Sequence, residues 1–115
     1  MNIQFEKLNL ESIEKMVDLR MHYFDVHMHI FFFLCKFYCE NVTKEEATAF
    51  QKKMIAFSKQ KNHSFMDHMK IFAELLTFYK ENAEYSDFIK IQIISLSFME
   101  YVRKEIEEKE ATVKQ

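Results

Sequence analysis

The sequence predicts an all-α protein, and three observations support that prediction. None of the 115 residues is glycine or proline, which disfavours both the tight turns of β-hairpins and the glycine-lined loops that bind phosphate. Apolar residues recur at spacings of three and four, the period of a helix with one buried face. A capping box stands at residues 43–46. We therefore expect one domain over residues 1–115, an up-and-down bundle of four helices, or of three if the second is long and bent.

The first predicted helix is the longest. Residues 1–9 are expected to form a short arm, and Asn9 is placed to cap a helix that runs to about residue 40. One apolar face of this helix consists of Leu10, Ile13, Val17, Met21, Phe24, Met28, Phe31, Cys35 and Tyr38. A second, on the opposite side, includes Tyr23, Val26, Ile30, Phe33 and Phe37. A helix that is apolar on two sides is buried on both, either at the centre of its own bundle or against a second chain.

The later helices are predicted from caps and spacing. Thr43, with Glu46 three residues on, caps a second helix that runs to about residue 61. Ser64 is able to cap a third from residue 65, although the apolar spacing continues across this point and leaves a single bent helix open. Ser86 is the predicted N-cap of the last helix, which runs to about residue 107. Residues 108–115 are charged and are expected to fray.

Composition limits the classes of function. The chain has 16 basic and 18 acidic residues and a net charge of −2, so nucleic acid is not an expected partner. The longest apolar run, residues 30–35, is too short to cross a membrane, and we expect no signal peptide because the N-terminus has no basic stretch followed by an apolar one. The chain has two cysteines, Cys35 and Cys39, and no expected secretion signal, which indicates that both are reduced thiols. We therefore expect a cytoplasmic protein without a membrane partner.

Four residues of the first helix form a candidate metal site. Asp18, His22, Asp25 and His29 follow a 4-3-4 spacing, which places them on one stripe of a continuous helix. Imidazole and carboxylate are ligands for zinc, iron or manganese. The same stripe also fits a solvated surface with local Asp–His pairs. A heme pocket along the phenylalanine-rich segment, with His27 or His29 as axial ligand, is a related possibility. A histidine-dependent metal or heme protein is therefore one alternative function.

A second alternative rests on Arg20 and His27. The pair is seven residues apart, and its spacing is similar to the Arg-x4–6-His motif of HEPN ribonucleases, which are small, helical and dimeric. The resemblance implies that His27 acts as acid or base and that Arg20 holds phosphate.

The leading interpretation is a small, non-enzymatic interaction or regulatory protein that presents apolar helix surfaces. No paired-carboxylate signature, catalytic serine arrangement or phosphate loop is present in the sequence, and this interpretation requires no cofactor. We expect a homodimer, or a complex with a protein partner, through the second face of the first helix. The predicted interface residues are Tyr23, Val26, Ile30, Phe33 and Phe37.

Overall fold

The computed structural model describes residues 8–61 and 65–113 and contains five helices. They are α1 (Leu10–Asp18), α2 (Tyr23–Glu40), α3 (Lys44–Lys59), α4 (Phe65–Asn82) and α5 (Tyr85–Val113). The described residues contain no strand, which confirms the all-α prediction. The predicted number of helices is wrong, because the expected first helix is two helices.

The chain reverses between α1 and α2 through a left-handed turn. The backbone N–H of Arg20 donates to the Val17 carbonyl at 3.0 Å, and that of Met21 donates to the Met16 carbonyl at 3.1 Å. This is the hydrogen-bond pattern of a Schellman motif, whose left-handed position is usually a glycine. Here Arg20 takes that position, with φ of 55°. The end of α1 is therefore not marked in the sequence by the glycine that usually occupies this position.

The reversal makes α2 the central helix. It packs against each of the other four helices. α5 runs antiparallel to α2, so that the rings of His27 and Phe98 stack near one end of the bundle. α4 runs parallel to α2, with Phe37 of α2 against Tyr79 near the other end. The side chains that are fully enclosed at the centre are Ile13, Ile30, Leu34 and Ile91.

The face predicted as an interface lies mostly inside this bundle. Val26 and Ile30 are 4% and 0% exposed and belong to the hydrophobic core. The two phenylalanines of that face pack edge-on against Tyr79 of α4. Tyr23 alone is well exposed, at 47%. α1 folds back and adds its own apolar residues to the same core, so four of the five predicted residues are covered by the chain's own helices.

Of the four predicted caps, three lie within the described residues, and two of those three are confirmed. Asn9 caps α1 by accepting from the Ser12 N–H at 2.8 Å. Thr43 caps α3 by accepting from the Glu46 N–H at 3.1 Å, and its hydroxyl donates to the Glu46 carboxylate. α5 instead begins at Tyr85, so the predicted cap Ser86 lies within its first turn.

The ends of α3 and α5 and the start of the described chain differ from the boundaries predicted from the sequence. α3 ends at Lys59 because Gln60 is extended, with ψ of 128°, so α3 and α4 are not one bent helix. Ser64, the predicted cap of α4, lies outside the described residues. α5 continues to Val113, past residue 107 and through most of the segment expected to fray. Of the predicted arm, residues 1–7 lie outside the described part, while Leu8 is buried and its carbonyl accepts from Lys36 Nζ at 3.2 Å.

None of the described helices combines the length and the apolar composition required to cross a bilayer.

We predict that Arg20→Gly stabilises the protein by about 0.5–1 kcal/mol. A left-handed conformation costs a residue other than glycine about 1–2 kcal/mol, and the greater freedom of glycine in the unfolded chain offsets part of that gain. Urea denaturation measures the difference. Arg20→Ala is the control, since it removes the guanidinium but keeps the strained backbone. Equal stability of the two variants would contradict the proposed strain.

Thr43→Ala is expected to lower the free energy of unfolding by about 0.5–2 kcal/mol, because it removes the acceptor for the Glu46 N–H. The matched control is Thr48→Ala. Thr48 lies inside α3 and its hydroxyl donates only to the Lys44 carbonyl four residues earlier, so its loss is neutral or slightly stabilising. Chemical denaturation of both variants tests the cap, provided that their m-values are unchanged. Equal midpoints for the two variants would show that the Thr43 cap does not stabilise the protein.

Candidate functional site: an apolar groove along α2

α3 is the most loosely held helix of the described bundle. None of its residues is buried, and its main packing partner is α2. Its apolar side chains Phe50, Met54 and Phe57 are half-buried against the core. An open groove remains along α2 and α3, and His68 of α4 and Phe98 of α5 line one end of it.

The groove consists of two connected cavities. The first, of about 670 Å³, is lined by Phe24, His27, Met28, Phe32, Met54 and Phe98, among others. The second, of about 550 Å³, continues between α2 and α3 as far as Glu40. Phe32 and Met54 line both cavities, so the two form one channel. We call it the α2–α3 groove. From Phe24 to Glu40 it follows α2 for about 24 Å, at 1.5 Å per residue.

The rim of the α2–α3 groove exposes large apolar side chains. Phe24 on α2 is 54% exposed and Ile55 on α3 is 56% exposed. Single exposed apolar residues are ordinary on a protein surface, but a continuous apolar strip beside an open cavity is typical of a binding surface. The groove is therefore the candidate functional site.

His27 forms part of the groove floor. It is 3% exposed, and its ring stacks on Phe98 at 3.9 Å between centroids and packs against Phe72 at 4.7 Å. Within the described part of the chain, neither ring nitrogen has a hydrogen-bond partner. Burial, with a smaller contribution from nearby His68, lowers the pKa of His27 to about 4. At neutral pH His27 is thus an uncharged ring that packs like an aromatic residue.

The two cysteines line the second cavity. Burial, followed by the neighbouring Cys39, raises the pKa of Cys35 to about 12. Because the thiolate is the nucleophile and the metal ligand, Cys35 is an unreactive thiol at neutral pH. The cysteines contribute apolar lining to the groove.

The structure does not place the four predicted metal ligands on one helical stripe. Asp18 ends α1, and His22 caps α2, with its Nδ1 accepting from a backbone N–H. Asp25 and His29 lie on α2, where the His29 ring nitrogen Nδ1 is 2.7 Å from the Asp25 carbonyl oxygen. The described residues contain no group of three or more His, Cys, Asp or Glu side chains placed to hold one ion.

The proposed ribonuclease pair is likewise separated. Arg20 is exposed in the α1–α2 turn and lines a different cavity, beside Met21 and Ile93. His27 lies at the floor of the α2–α3 groove, and both of its nitrogens are closed off from solvent. Neither nitrogen is in a position to meet a substrate, or to act as the axial ligand of a heme, without rearrangement of the surrounding rings.

Sequence reasoning missed the part that α3 plays in the site. The signal available was the sparse apolar content of α3, whose single stripe of Phe50, Met54 and Phe57 is too narrow to pack against two helices. His27 also carried a signal, because it stands four residues before Phe31, on the face that is buried.

Comparison of the chain with known protein families, with characterised proteins and with solved structures finds no match.

We predict that the wild-type protein loses about 2 kcal/mol of stability between pH 7 and pH 5 through His27. In that range the unfolded imidazole, with a pKa of 6.5, binds a proton that the folded one, with a pKa of about 4, does not bind. The unfolded state therefore holds more protons, and stability falls as pH falls. His27→Phe keeps the stacking and removes the unpaired nitrogens, so it is expected to be about 1–2 kcal/mol more stable at pH 7.

Denaturation of both proteins at the two pH values tests this. The difference between them is expected to widen on acidification, because the remaining histidines are common to both. Equal losses in the two proteins would show that His27 is not the group that titrates.

Proposed function

We propose that this protein is a small, non-enzymatic interaction module, of a regulatory kind, that receives an amphipathic helix in the α2–α3 groove. The observation that carries the proposal is the length of the apolar channel along α2, together with the exposed rim residues Phe24 and Ile55. The face predicted from the sequence is replaced by this groove, while the mode of action through apolar helix surfaces is retained.

The shape of the groove favours a helix over a compact ligand. A small molecule is usually enclosed in one cavity, whereas this channel extends for about 24 Å, the length of about 16 helical residues. Helices that dock in apolar grooves do so through residues spaced at i, i+3, i+4 and i+7. Phenylalanine and methionine line the channel, and flexible methionine side chains adapt well to such anchors.

The charge of α3 indicates the kind of helix. α3 carries four lysines against two glutamates. Lys52 and Lys59 lie three residues before and four residues after Ile55, so they are its neighbours on the outer rim. A partner helix with apolar anchors and acidic flanks would match both features of the rim.

The polar groups at the site support binding rather than catalysis. His27 is enclosed and uncharged at neutral pH, and Cys35 is protonated. A general base needs an accessible lone pair within hydrogen-bond reach of its substrate, and a nucleophilic cysteine needs a lowered pKa.

The test is a display selection of amphipathic helical peptides on the full-length protein. We expect enriched peptides with apolar residues at i and i+4 and an excess of acidic residues. Their affinity should fall about 10- to 100-fold on Ile55→Glu, because one buried isoleucine contributes about 1.5–3 kcal/mol and each 1.4 kcal/mol is a factor of ten.

Ile93→Glu provides the matched control. Ile93 lies on α5 beside Tyr23, outside the groove, and is 59% exposed, close to the 56% of Ile55. Peptides that bind both variants equally well, or the absence of any enrichment, would contradict the proposed function.

A further inference from the structure

α5 is longer than the bundle that it packs against. It has 29 residues and extends for about 43 Å, whereas α2 and α4 have 18 residues each and extend for about 27 Å. Every residue from 103 to 111 is exposed. The radius of gyration of 15.5 Å exceeds the value of about 13 Å typical of a compact domain of this length. We call residues 99–111 the α5 overhang.

The overhang continues the stripe of α5 that forms the core. Phe98 is 5% exposed and lines the groove, and Val102 and Ile106 follow it at intervals of four residues on the same side of the helix. Val102 is half-buried and Ile106 is 50% exposed. The overhang therefore presents apolar anchors at i and i+4. Val102 lies where Tyr101 still stacks on Tyr23 of α2, and Ile106 lies beyond the end of the bundle.

The charges of the overhang and of the groove rim are opposite. The overhang contains five glutamates against one arginine and two lysines, and Arg103 pairs with two of those glutamates. α3 contains four lysines against two glutamates. Such complementarity favours docking of one on the other and fixes its orientation. The overhang therefore has apolar anchors and a charge that match the groove. Its 13 residues extend for about 20 Å, which fits within the groove length of about 24 Å.

We propose that the occupant of the α2–α3 groove is the α5 overhang of a second copy of this chain. The overhang is part of one continuous helix that leads away from its own bundle, so reaching its own groove would require α5 to break. Because Phe98 lines the groove, each overhang leaves the bundle beside the groove of its own chain. Two antiparallel α5 helices that cross near Val102 place each overhang in the groove of the other chain, with two-fold symmetry.

This inference rests on the proposed function, since it names the helix that the groove receives. Each groove is completed by the partner copy, which contributes Val102 and Ile106 to its apolar lining. The arrangement also covers Ile55 and Ile106, which the single chain leaves in water.

Sedimentation equilibrium of the full-length protein and of three matched variants tests the proposal. We expect the wild type to be a dimer. Ile55→Glu in the groove and Ile106→Glu on the overhang are each expected to raise the dimer dissociation constant about 10- to 100-fold. Ile93→Glu is expected to leave it unchanged. The three positions are 56%, 50% and 59% exposed, so none of the substitutions opens the core.

Two sedimentation results would overturn the proposal. One is a wild-type protein that remains monomeric at its highest soluble concentration. The other is a dimer that dissociates on Ile93→Glu but not on Ile106→Glu, which would place the interface on the patch around Tyr23 and Leu96.

Disulfide trapping tests the register directly. With Cys35 and Cys39 both replaced by alanine, a chain carrying Ile55→Cys is mixed with a chain carrying Ile106→Cys. We expect a disulfide between the two different chains under mild oxidation, and none when Ile93→Cys takes the place of Ile55→Cys. Equal trapping at positions 55 and 93 would contradict the docking geometry.

The peptide selection separates the two levels of inference. If the wild type is a monomer while selected helices still depend on Ile55 for binding, the second copy is wrong and the groove function stands. If neither the overhang nor any selected helix depends on Ile55, both proposals fail.

Discussion

The reversal of the chain at residues 19–22 is the constraint on which the rest of the structure depends. A continuous first helix would remove the part of the core that α1 supplies, whereas the reversal returns Ile13 and Met16 to the core around α2. The cost is one left-handed arginine, held by the two hydrogen bonds of the Schellman motif. Burial of two large apolar side chains, at about 1.5–3 kcal/mol each, outweighs a backbone strain of about 1–2 kcal/mol.

The same reversal decides where the open surface lies. With α1, α4 and α5 packed around α2, the remaining side of α2 falls to α3, which follows after a connection of three residues. α3 has a single apolar stripe, which packs mainly against α2. The stripe consists of Phe50, Met54 and Phe57. A helix with one narrow stripe covers only part of the side of α2 on which it packs, so the groove beside it results from the apolar pattern of α3.

Local interactions were predictable from the sequence, and contacts between distant segments were not. Asn9 and Thr43 bond to backbone three residues away, so the signal for each cap lies within four residues. The break at Arg20 carried no such signal, because the 3–4 spacing runs through Val17, Met21 and Phe24 without interruption. The burial of the second apolar face within the chain's own bundle depends on that break. The apolar period of α2 indicates that this face is covered, but it does not indicate which helix covers it.

The α2–α3 groove was not predicted for a related reason, which His27 illustrates. Its position among apolar neighbours indicates burial, but the rings that surround it, Phe72 and Phe98, come from α4 and α5. The candidate metal stripe and the arginine–histidine pair both assumed one straight helix through residue 20. Once that helix is broken, their members lie in different environments, and the residue types alone no longer define a site.

One contact joins the stability of the bundle to its proposed docking surface. Phe98 stacks on His27, lines the α2–α3 groove and is the last core residue before the α5 overhang. Because the His27 nitrogens have no hydrogen-bond partner among the described residues, the stack depends on ring packing and on an uncharged imidazole. Protonation of His27 would weaken the core at the point where α5 leaves the bundle. The same pair of rings therefore lies at the groove floor and next to the start of the overhang, so a change in that pair is felt at both surfaces.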